Sequence, residues 1–136
     1  MPRKKTHRPT DAELAILRVL WTQGPSKVRQ VQEALNEDAG EETGYTTVLK
    51  LLQIMTEKDL VVRDESQRAH VYTAHHSEDQ TQRGLVGDLL DRAFDGSATQ
   101  MVLQALHSRP ASAEERAEIR RLLDHMDQDD SGSHRS

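Results

Sequence analysis

Cysteine is absent from the 136 residues, which excludes disulfides, thiol catalysis and cysteine-rich metal sites. Aromatic residues are scarce: Trp21, Tyr45, Tyr72 and Phe94 make up 3% of the chain. With apolar residues at only 35%, one large core is not expected; several small helical cores are. No run of about 18 apolar residues occurs, so no membrane insertion is expected. No secretory apolar region follows the basic start, and the composition fits a cytoplasmic protein. There is no phosphate loop, no HExxH and no serine-centred elbow. No catalytic residue, metal ligand set or cofactor is therefore assigned, and enzymatic activity is not expected.

Excess positive charge is also missing. The net charge is −5, which taken globally argues against a nucleic-acid binder. The distribution is more informative. Residues 1–74 carry eleven bases and eleven acids, whereas residues 75–136 carry seven and twelve. The start (Arg3, Lys4, Lys5, Arg8) is purely basic. Such asymmetry between halves predicts two jobs.

The patterning supports this division. Thr10 with Glu13 reads as a capping box, and Leu14, Leu17 and Trp21, widened by Ile16 and Leu20, form an apolar stripe up to Gly24-Pro25. Ser26 is the next candidate cap, for a helix marked by Val28, Val31 and Leu35. After a polar loop, a third helix is predicted over residues 46–58, with Val48, Leu51, Leu52 and Met55 on its apolar stripe. Residues 60–63 and 69–73 are rich in β-formers and read as a hairpin. Three helices and a hairpin is the order of a winged helix-turn-helix. Helices follow again at residues 78–94, around Met101–Leu106, and from a second capping box, Ser112 with Glu115. The expected fold is mainly α with a small β-hairpin wing. Residues 8–74 are read as a winged-helix DNA-binding domain and residues 77–127 as a helical dimerisation region. The arm 1–7 and the polar tail 128–136 are expected to be disordered.

The later helices carry few large apolar side chains, too few to offset their ordering entropy alone. Leu85, Leu89, Leu90, Phe94, Val102, Leu106, Ile119, Leu122 and Leu123 therefore read as a dimerisation surface for a second copy of the chain.

On the third helix, the face opposite the apolar stripe holds Thr46, Thr47, Lys50 and Gln53. Gln can bond adenine bidentately, Thr can touch a thymine methyl or a phosphate, and Lys can reach guanine or phosphate. A solvated face is the plain alternative. The hairpin that follows tips the balance, because it gives Arg63 and Arg68 a place beside a DNA backbone.

The string from Thr46 to Lys58, the pair Leu60-Val61, the run Ala69-His70-Val71-Tyr72 and the start from Thr10 to Trp21 resemble the BlaI/MecI/CopY family of penicillinase repressors. The resemblance covers residues 8–74 well, and Gly96-Ser97 and residues 113–123 more loosely. It implies a winged-helix homodimer that represses transcription at a palindromic double-stranded DNA operator, with the third helix in the major groove and the C-terminal helices interlocked. It further implies control of β-lactamase or other resistance genes, and release through a membrane sensor with a metallopeptidase domain. Asp59 stands where the family usually has glycine, at a helix end that favours a left-handed backbone. Gln104-Ala105 stands where staphylococcal-type members have an Asn-Phe cleavage bond. With no cysteine, copper sensing through thiolates is excluded.

Two other readings fit the same residues. A protein–protein adaptor would keep the winged fold without DNA, and a ligand- or metal-responsive regulator would use Trp21 or a set such as His70, His75 and Glu78. The spacing of those histidines matches no established ligand pattern, and a lone Trp on an amphipathic helix reads as core.

Overall fold

The computed structural model describes residues 8–39 and 42–133, so the basic arm 1–7 and the residues after 133 lie outside the described residues. Helix α1 spans Asp11–Gln23. Thr10 and Glu13 form the expected reciprocal cap: the Thr10 hydroxyl accepts from the Glu13 N–H at 3.2 Å, and the Glu13 carboxylate accepts from the Thr10 N–H at 3.0 Å. Gly24, at φ 84°, closes the helix by donating its N–H to the Leu20 carbonyl. The buried stripe is Glu13, Ile16, Leu17 and Leu20; Leu14 and Trp21 lie partly buried at its margin. The stripe begins on a carboxylate, which hydrophobic patterning does not count.

Ser26 does not cap the second helix. It belongs to a two-residue strand, β1 (Ser26–Lys27), and is buried, with its hydroxyl donating to the Gly24 carbonyl at 2.8 Å and accepting from Gln23 at 3.1 Å. Capping of α2 (Val28–Ala39) passes to Gln30, whose side-chain oxygen accepts from the Lys27 N–H at 2.8 Å.

Helix α3 spans Tyr45–Glu57 and buries Val48, Leu52 and Met55. It ends in a Schellman motif: the Leu60 N–H donates to the Met55 carbonyl and the Asp59 N–H to that of Thr56. Asp59 occupies the left-handed position, at φ 64°. The buried Leu60 seals the turn beside Met55, so β2 begins one residue later than the β-forming run suggests, at Val61–Asp64. Strand β3 is Val71–Ala74. The antiparallel sheet has the order β1-β3-β2, pairing Ser26 with Tyr72 and Arg63 with Tyr72 from opposite sides. The core joins α1, α2, α3 and the hairpin through Ile16, Val31, Val48, Leu52, Met55 and Tyr72, each almost wholly buried.

Three further helices follow: α4 (Glu78–Ala93), α5 (Ala98–Ser108) and α6 (Ala113–Ser133). Side-chain caps at Ser77, Ser97 and Ser112 open them. Asp95 and Gly96 both have positive φ and separate α4 from α5. Helix α6 corrects the expected tail: residues 128–133 are helical, since neither proline nor glycine interrupts the chain from Ser112 to Ser131. The chain divides into two compact units between Gly87 and Asp88, inside α4, and not at the change of patterning near residue 75.

Candidate nucleic-acid interface

The α2–α3 pair is fixed by amide side chains. Asn36 grips Thr43 twice, accepting from its N–H at 2.7 Å and donating to its carbonyl at 3.3 Å, and Gln32 donates to the same carbonyl at 3.3 Å. Gly44 then serves as N-cap of α3 without a side-chain cap bond. At its far end, Lys58 bonds both carboxylate oxygens of the buried Glu13, at 2.8 and 3.0 Å. Burial pushes the Glu13 pKa up, but the Lys58 ammonium and the Thr10 bonds outweigh it and hold the net value below the ordinary range. The helix is therefore anchored at both ends and along one face.

Its opposite face is open. Thr46, Thr47, Lys50 and Gln53 are all exposed, while Leu49 and Ile54 lie half-buried on the flanks. The two wing arginines differ. Arg63 lies beside Glu65, with Nε to carboxylate at 2.8 Å and a terminal nitrogen at 2.6 Å. The Tyr72 hydroxyl and then Glu65 raise its pKa further. Arg68, in the wing loop, is exposed and forms no ion pair among the described residues. Asp64 shapes that loop by accepting from the Ser66 N–H at 2.9 Å, and this bond lowers its pKa. Glu57 is exposed near the end of α3.

Lys27, Arg29 and Tyr45, not singled out from the sequence for DNA binding, join this surface beside Arg68. Lys27, Arg29, Tyr45, Leu49, Arg68 and His70 border a groove of about 420 Å³. The Arg29 guanidinium lies over the Tyr45 ring, 5.6 Å from its centroid. The signal missed was β1: two residues are too few for an alternating pattern.

Of the histidines considered for a metal, His70 borders that groove and His75 makes a backbone bond. His75 bonds the Asp59 carbonyl through Nδ1 at 2.9 Å, so that nitrogen carries the proton, and its ring stacks on that of His76 at 4.3 Å. Trp21 donates its indole N–H to the His76 carbonyl at 3.0 Å. Of the residues read as a dimerisation surface, Leu85, Leu90, Phe94 and Ile119 are half-buried, and Leu89, Val102, Leu106, Leu122 and Leu123 are exposed. Neither α4 nor α5 has a buried residue.

Three helices, a three-stranded wing and a third helix with an open polar face define a winged helix-turn-helix regulator. The family model described as penicillinase repressor matches residues 9–125. A curated relative, the transcriptional regulator BlaI of Mycobacterium tuberculosis, is 38% identical over 120 residues, which span 88% of this chain and 85% of that protein. The penicillinase repressor of Bacillus licheniformis is 26% identical over 123 residues, 89% of this chain and 93% of that one. Among solved structures, the complex structure of hsRosR-SG, from H. salinarum, is similar in fold, with a TM-score of 0.53 at 19% identity, over 98% of this chain and all of that one. The chain belongs to the penicillinase repressor family. Its curated relatives are transcriptional regulators, not enzymes.

Proposed function

We propose that this protein is a homodimeric transcriptional repressor that binds a pseudo-palindromic operator in double-stranded DNA. The carrying observation is the division of α3, with Val48, Leu52 and Met55 buried and Thr46, Thr47, Lys50 and Gln53 exposed. Such a helix is held rigidly from behind and offers base-reading side chains in front. Arg68 supplies a backbone contact from the wing; Arg63 joins it when Glu65 is displaced. The exposed leucines and valines of α4, α5 and α6 support pairing with a second copy, which sets two α3 helices about one DNA turn apart. The relatives' names support control of β-lactamase or other resistance genes. Release by a signal such as proteolysis, through a membrane metallopeptidase sensor, fits the same reading. At Gln104-Ala105, exposed within α5, scission requires local unwinding of the helix.

Gel shifts with the DNA upstream of the chain's own gene test the proposal. A preference for that DNA over a scrambled duplex is expected, with Lys50→Ala weakening binding to all sequences and Gln53→Ala changing base preference. Equal binding of operator and scrambled duplex counts against it.

A further inference from the structure

Lys27, Arg29 and Arg68 come from three separate elements: β1, the first turn of α2 and the wing loop. Pairing of Lys27 with Val71 brings β1 and the start of α2 beside the wing. The result is one groove bordered by three cations, with no carboxylate among its lining residues, in a chain whose net charge is −5. None of the three forms an ion pair among the described residues, whereas Arg63, Arg83, Arg92 and Arg121 all do. The Arg29 guanidinium carbon lies over the Tyr45 ring, 5.6 Å from its centroid, a contact that restrains the side chain and leaves its N–H donors without an ion-pair partner among the described residues. That fork matches a phosphodiester, bidentate and planar.

We propose that this groove holds the phosphodiester backbone of one DNA strand, with Lys27, Arg29 and Arg68 as the phosphate contacts and Tyr45 as the platform that orients Arg29. The inference rests on the DNA-binding reading and adds a function to the β1–α2 corner, which that reading does not use. The groove sets the position of the strand and carries no base preference of its own. Leu49 and Tyr45 belong to α3, so the backbone seat and the base-reading face share one rigid element.

The test uses the full chain, with a duplex selected by the wild type from a random pool and a scrambled duplex of equal length. Affinities are measured by anisotropy at several KCl concentrations for wild type, Arg29→Gln, Arg29→Lys and Arg68→Gln, after thermal melts show that each variant folds. Arg29→Gln and Arg68→Gln are each expected to lower the slope of log affinity against log salt by about one per bound protomer. The loss should be equal on both duplexes, and Arg29→Lys should restore the slope. Wild-type slopes in both neutral variants overturn the groove alone, as does a loss confined to the selected sequence. A wild type that binds no duplex overturns the groove and the repressor reading together.

Discussion

Lys58, at the close of α3, holds the carboxylate of Glu13, in the first turn of α1, through two oxygens at 2.8 and 3.0 Å. Glu13 is buried and Lys58 about one-third exposed, so the carboxylate depends on this partner and on the Thr10 cap. The pair ties the end of α3 to the first turn of α1.

The first prediction follows from the lowered pKa of Glu13. A depressed carboxylate contributes stability that is present above its unfolded pKa and lost as pH falls through the folded value. The stability difference between wild type and Glu13→Gln, read from urea melts, should be constant above about pH 5 and shrink toward pH 3. Lys58→Met should cost about 1–2 kcal/mol near neutrality, below the roughly 3–5 kcal/mol of a fully buried pair because Lys58 is partly solvated. A pH-independent difference contradicts the assignment.

Asp59 offers a gain. A left-handed residue other than glycine carries strain, and the Schellman bonds of Asp59 and Leu60 use only backbone atoms. Asp59→Gly should stabilise by roughly 0.5–1 kcal/mol, a rise of a few degrees in Tm. A lower Tm would show that the Asp59 side chain contributes something the backbone geometry does not reveal.

Glu65 restrains the wing. It neutralises Arg63 across 2.6–2.8 Å, on a loop where Arg68 remains without an ion pair among the described residues. Glu65→Gln should tighten binding to any duplex and steepen its salt dependence by about one unit per protomer. Unchanged salt dependence would place Arg63 away from the DNA.

The exposed apolar side chains of α6 give the fourth prediction. Leu122 and Leu123 are 58% and 54% exposed in the single chain. A Leu122→Arg, Leu123→Arg double variant should keep its helical circular dichroism and sediment as a monomer, with dimer affinity down on the order of tenfold or more. A dimer of wild-type affinity would move the interface elsewhere.

Much of this was legible because local signals agreed with tertiary ones. Thr10 with Glu13, Gly24 and Ser112 with Glu115 each announced a helix boundary in their own chemistry, and Asp59 did so through the family resemblance. The open face of α3 followed from periodicity. What was not legible depended on distant partners. Ser26 looks like a helix cap until β3 pairs with it. Glu13 looks like a surface acid until Lys58, 45 positions later, meets it. Arg63 looks free until the turn of the wing returns Glu65 to its side. The groove residues Lys27 and Arg29 carried no pattern, because their proximity to Arg68 is created by strand pairing. Residues 128–133 read as a disordered tail on polar composition alone, yet they continue α6, which has neither proline nor glycine before Gly132.

The grip of Asn36 and Gln32 on Thr43 has a consequence for protein engineering. The start of α3 is registered against α2 by side chains on either side of the connecting segment, not by the length of that segment. The connection between Asn36 and Thr43 is thus a natural place for a split site or an inserted sensor peptide. Fragments divided there carry Gln32 and Asn36 on one side and Thr43 on the other, so a reassociation that restores these bonds would realign α3 with α2.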